Sequence, residues 1–169
     1  QDHVALLEKH SAHFDAIHEK FGELDERTIR AKMALIRFYS SQQDYRNAMP
    51  LAQITYTDVV KKFGKESEEA LDIMIELTML HTFLNQLKIA NKIAEEAYSI
   101  SKSLKGEKKA TIEMYWPLYN IYRGLDDEDS IAKLESIMPL SDLNFDSSIV
   151  SIDEALIISR FVSKLISKG

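Results

Sequence analysis

The chain has no cysteine. Disulfides, thiolate metal sites and a cysteine nucleophile are therefore excluded. Cysteine-free domains suit the cytosol and the periplasm alike, so the compartment stays open, with the cytoplasm slightly favoured. Glycine and proline are scarce, five and three in 169 residues. Few breakers among many Leu, Ile, Ala, Glu and Lys residues point to helix. No apolar run approaches the ~20 residues of a membrane span. The polar face of the first helical segment mixes His, Glu, Lys and Asp. It is not the basic face of a membrane-surface helix, so no membrane partner is expected. The N-terminal QDHVALLEKH lacks the basic-then-apolar order of a signal peptide. Positive charge is also short: the net charge is −6. An acidic surface repels phosphate backbones, so nucleic acid is not expected as a partner.

What is present is periodic. Gly22, Gly64 and Gly106 are spaced by 42 residues, so three of the five glycines share one register. Each follows a long helical pattern, where glycine can end a helix with positive φ. Ala48, Ala90 and Ala132 share the same spacing, as do Leu35, Leu77 and Tyr119. Ala52, Ala94 and Ser136 form a small-residue column, and Phe14, Tyr56 and Tyr98 an aromatic one. Small residues at a fixed place let two helices approach, and large ones fill the space between successive pairs.

Within each unit the apolar period is three to four residues, as in Ile29, Met33, Ile36 and Tyr39, and no segment sustains an alternation of two. The expected fold is all-α, a right-handed α-solenoid of antiparallel helix pairs with about eight helices. They are placed at 2–20, 25–41, 45–62, 67–84, 87–103, 108–123, 128–138 and 151–167. Ser151 to Glu154 has the form of a capping box for the last of these. The chain reads as one domain: a partial repeat 1–22, repeats 23–64, 65–106 and 107–148, and a terminal helix 149–169. Both ends are half-units, so the sequence is expected to be an excerpt of a longer array.

These residues resemble tetratricopeptide repeats of the 42-residue form found in kinesin light chains and many bacterial proteins. Residues 25–64 carry the likeness best. Leu35 and Tyr39 sit where the motif has Leu and Tyr. Tyr45, Ala48, Pro50 and Leu51 reproduce its Y-x-x-A-x-P-L run, and Phe63-Gly64 its closing turn. The next unit keeps Leu77, Ala90, Ala94, Ala97 and Gly106. The third has Trp116 at a Trp place and Ala132 at the Ala place. Departures are Ile36, Thr78 and Asn120 where the motif has Gly or Ala, and His81 and Arg123 in place of its aromatic residue.

The resemblance implies a concave groove lined by the first helix of each pair, which binds an extended or helical segment. Arg30, Met33, Ala34, Arg37 and Ser41 would face it from the first full unit. Asp72, Ile75, Glu76, Met79 and Phe83 would follow from the second, and Met114, Pro117, Leu118 and Ile121 from the third. The partner-binding set is Arg30, Met33, Arg37, Asp72, Glu76, Met79, Phe83 and Leu118. The groove would grade from basic through acidic to apolar. Arg30 and Arg37 stand two turns apart and could grip a carboxylate, or simply pair with Glu26 or Asp44. The Lys and Asn clamp of chaperone-binding members is missing, since its places hold Met33, Arg37, Ile75, Met79, Pro117 and Ile121.

Other constellations fail on spacing. His3, His10, His13 and His18 gather in the first helix without a third ligand in place. Asp126 to Asp129 lacks the glycine and spacing of a calcium loop. Gly64-Lys65-Glu66-Ser67 lacks the first glycine of a phosphate loop. No Gly-x-Ser-x-Gly turn exists for a nucleophile. No enzyme activity, metal or cofactor is expected. The expected function is binding of a protein or peptide. Two alternatives are a sensory or regulatory domain of a bacterial signalling or transcription protein, and a self-assembly or scaffold module whose exposed ends stack into a homo-oligomer.

Overall fold

The computed structural model describes residues 2–138, Ile157 and residues 159–163, with the backbone alone for residues 2–7 and His10. The described chain is all-α. Its helices are α1 (Asp2–Phe21), α2 (Glu26–Ser41), α3 (Tyr45–Phe63), α4 (Glu68–Phe83), α5 (Leu87–Lys105), α6 (Glu107–Gly124) and α7 (Glu128–Ser136). Ile157 and residues 159–163 are helical in the place of the eighth expected helix. The capping box at 151–154, the loop before it and the end of the repeat 107–148 lie outside the described residues.

The helix ends follow from their sequences. Asp25 accepts a hydrogen bond from the Arg27 N–H at 2.9 Å, and Ser67 Oγ accepts one from Ala70 N–H at 3.1 Å. Such caps satisfy donors that the first turn leaves unpaired. Arg27 also donates from its side chain to Asp25. These bonds hold the Asp25 carboxyl far below the usual carboxylate range. Gly64 and Gly106 close α3 and α5 at φ +88° and +84°, in a region that costs other residues strain. The turns inside each pair use Gln43, Asn85 and Asp126, all with positive φ near 56–59°.

Each helix packs on the next, and α4 also touches α2 and α6. No comparable contact joins α3 to α5 or α5 to α7 among the described residues. The helices form an α-solenoid of two layers. The layer α2–α4–α6, whose members meet, lies on the shorter arc and is its concave wall. The interior divides into two cores. One gathers Ile29, Ile36, Ala48, Ala52, Val59, Ala70, Ile73, Leu77 and Leu80. The other gathers Leu71, Met74, Ala90, Ala94, Ala97, Met114, Tyr115, Leu118, Ile121, Ile131, Leu134 and Ile157. Helix α4 contributes to both.

The third unit does not keep the 42-residue register. The buried set Ala70, Ile73, Met74, Leu77, Thr78 and Leu80 of α4 recurs 41 residues later, as Thr111, Met114, Tyr115, Leu118, Tyr119 and Ile121 of α6. Leu118, not Tyr119, therefore continues the column of Leu35 and Leu77, and all three are buried. Tyr119 takes the place of Ile36 and Thr78 that the sequence assigns to Asn120. Tyr122 follows Tyr39 and His81, so the third unit keeps its aromatic residue there and Arg123 does not replace it. Ile131 occupies the place of Ala48 and Ala90, and Ala132 is exposed. Ser136 likewise gives way to Glu135 and points to solvent. Tyr115, fully buried, takes the place of Lys32 and Met74, which moves Trp116 to the edge of the core. Arg160 ties this region together. It donates to the Tyr115 hydroxyl at 2.9 Å and to Glu135 at 2.7 Å, with its guanidinium 4.0 Å from the Tyr119 ring centre.

Lys32 is the polar exception in the first core. Its side chain is 4% exposed, and Nζ lies 2.7 Å from Asp58 Oδ2 and 3.3 Å from Glu23. The equivalent places in the next unit hold Met74 and Ile100, both buried. Breaking a buried pair by removing one partner costs about 3–5 kcal/mol, whereas replacing both with packed apolar groups is near neutral. Lys32→Met alone is expected to lower unfolding stability in urea by about 3 kcal/mol. Lys32→Met with Asp58→Ile should return to within about 1 kcal/mol of wild type. A double variant as unstable as the single one would contradict this reading.

Candidate functional site

The concave wall is built from residues that α2, α4 and α6 cannot bury in the cores. On α4 these are Glu68, Asp72, Ile75, Glu76, Met79 and Phe83, at i, i+4, i+7, i+8, i+11 and i+15, and so aligned on one face. Met79 is 40% and Phe83 54% exposed, large values for apolar side chains on a layer that packs on both sides. Phe83 stacks on Tyr45 with ring centres 5.2 Å apart, which fixes its orientation.

Two clefts flank α4. Between α4 and α6 lies one of about 220 Å³, lined by Ile75, Met79, Thr82, Phe83, Glu113, Trp116, Pro117 and Asn120. It is mainly apolar and opens on the concave side. Trp116 is held by edge-on contact with the Tyr115 and Tyr119 rings, at 5.3 and 5.6 Å. Pro117 lies inside α6 and has no N–H to give the Glu113 carbonyl four residues back. Between α2 and α4 lies the second, of about 270 Å³, lined by Glu26, Ile29, Arg30, Met33, Val59, Phe63, Glu68, Glu69 and Asp72. Its floor is apolar and its rim carries four carboxylates and one guanidinium.

The ion pairs assign most of the groove's charges. Arg37 donates from Nε to Glu76 Oε1 at 2.7 Å, bridging α2 and α4. Arg30 pairs with Glu26 along α2. Lys105 pairs with Glu113 at 2.8 Å, and Ser101 donates to the same carboxylate at 2.6 Å. The two arginines are therefore committed to different carboxylates and do not converge as a carboxylate clamp. Glu68, Glu69 and Asp72 have no ion-pair partner among the described residues. Partial burial pushes the Asp72 carboxyl up from its ordinary value. Arg37 and Lys105 act against this, and Glu113 and Glu68 add to it.

Of the residues expected in the groove, Arg30, Met33 and Asp72 meet at the acidic cleft. Arg37 and Glu76 form the bridge beside it, and Met79 and Phe83 line the apolar cleft. Leu118 is corrected: it is 3% exposed and packed in the core, as are Met114 and Ile121. The one-residue shift turns Glu113, Trp116, Pro117 and Asn120 outward in their place. Only Pro117 was in the expected set. Matching the apolar pattern of α6 to that of α4, and not the glycines, would have found the others.

A third opening is lined by Trp116, Tyr119, Arg123, Glu128, Glu135 and Arg160 among others. His13 and His18 are exposed, and no three potential metal ligands converge among the described residues. No described helix is long and apolar enough to cross a membrane.

A raised carboxyl pKa means the folded state holds the Asp72 proton more tightly than the unfolded chain does. Ionised Asp72 then costs stability, increasingly as pH rises from the unfolded value of about 4 through the raised one. Asp72→Asn is expected to melt slightly above wild type at pH 7. The advantage should vanish below about pH 4, as read by thermal unfolding across pH. A variant that melts lower at pH 7 would contradict this.

Among known proteins, no family model matches the chain, and no curated protein matches its sequence significantly.

Proposed function

We propose that this protein is a non-catalytic interaction module of tetratricopeptide type, which holds a peptide or a partner's extended segment on its concave wall. The observation that carries this reading is the cleft between α4 and α6. Met79 and Phe83 stay exposed there, opposite Trp116 and Pro117. A soluble surface gains nothing from clustering such side chains, and contiguous apolar patches mark binding sites. Aromatic anchors in a concave pocket are what interfaces use for most of their affinity. Methionine, with three rotatable bonds, repacks around different ligands.

Trp116 is the only tryptophan in the chain and lies in the cleft, so its emission reports occupancy. Peptides selected from a random library on the wild-type protein should shift Trp116 emission. Met79→Glu should weaken them at least about tenfold, as loss of a hot-spot contact does. Ile54→Glu, at an exposed site on α3, should leave affinity within about twofold. Selected peptides indifferent to Met79→Glu but lost with Ile54→Glu would move the site to the other layer.

A further inference from the structure

Resting on the groove reading above, we infer that the occupant is an extended peptide segment with a Lys or Arg three residues from a large apolar side chain. The apolar cleft fixes one end of this requirement. The other end follows from charge. Once Arg30, Arg37 and Lys105 are matched to Glu26, Glu76 and Glu113, Glu68, Glu69 and Asp72 remain unpaired among the described residues. All three rim the cleft between α2 and α4, over a floor that includes Met33 and Phe63. A cation with an aliphatic stem suits such a place. The stem lies on the apolar floor and the charged head meets the carboxylates. An acidic or phosphorylated segment would add like charge to a protein already at −6.

Helix α4 sets the spacing. Asp72 lies seven residues before Met79, about 10 Å of helix rise. Three residues of extended chain cover about 10 Å. Laid along α4 in the polyproline II conformation, in which side chains three residues apart share a face about 9 Å apart, such a segment would bring a basic side chain to Asp72 and an apolar one to Met79 and Trp116. Asp72 is exposed on α4, so an arriving cation can reach its carboxylate.

The test titrates blocked hexapeptides into the full chain at low salt and follows Trp116 emission. One carries Lys and Phe three residues apart, one has the order reversed, one has Glu for Lys, and one has Ala for Phe. The expected result is at least about fivefold tighter binding of a Lys/Phe peptide than of the Glu/Phe peptide, weakened by added salt. Asp72→Lys should invert that preference. If that variant does not fold, Glu69→Gln should narrow the preference instead. A Glu/Phe peptide that binds as tightly as the Lys peptides, and still depends on Met79, overturns the charge inference and leaves the groove reading standing. Emission that no peptide shifts overturns the inference, and the groove reading falls with it only if library-selected peptides also ignore Met79→Glu.

Discussion

Helix α4 has to bury two faces at once, and the rest of the structure depends on that constraint. Ala70, Ile73, Leu77 and Leu80 face the core shared with α2 and α3. Leu71 and Met74 face the core shared with α5 and α6. Each apolar side chain removed from water this way contributes about 1.5–3 kcal/mol. No isolated helix pair could bury both faces, so the stack must continue on each side of α4. Only one stripe of α4 is left over, and that stripe runs along the concave wall between the two clefts. Stability and site are thus complementary parts of one helix surface.

Much of this was legible in the sequence. The glycine register, the three-to-four period and the cap residues place α1 to α7 within a few residues of where they lie. Asp72, Ile75, Glu76, Met79 and Phe83 follow from the resemblance to tetratricopeptide repeats. What the glycine spacing could not convey is the missing residue after Gly106. A helix turns about 100° per residue, so one deletion moves a whole face. It buries Leu118 and Met114, brings Trp116 part-buried to the cleft and exposes Asn120, while Gly22, Gly64 and Gly106 stay on register. The glycines mark where helices stop, and burial depends on where the next one starts. Pairing was hidden for a related reason. Arg37 meets Glu76 across two helices 39 residues apart in sequence, and only the packing of α2 on α4 brings them together.

The polar groups divide by what they do for the fold. Lys32 and Asp58 are enclosed and matched, in a place where the next unit has Met74 and Ile100, so the pair marks the first unit as different without a need for charge there. Asp72 is the reverse case. It is exposed and lacks an ion-pair partner among the described residues. Met79 and Phe83, large and left in water, carry a cost of their own. A wall with unpaired carboxylates at one cleft and uncovered aromatic and thioether side chains at the next is suited to a ligand that supplies both complements.

The most direct test of the register and of the concave wall uses the absence of cysteine. Single cysteines introduced at Leu118 and at Asn120 would each be the only thiol in the protein, and their rates of maleimide labelling in the native state report exposure. Asn120→Cys is expected to react at nearly the rate of a free thiol, and Leu118→Cys at least about a hundredfold more slowly, because a buried thiol reacts only when the structure opens. Equal rates, or faster labelling at position 118, would contradict the shifted register and with it the placement of Trp116 and Asn120 in the cleft.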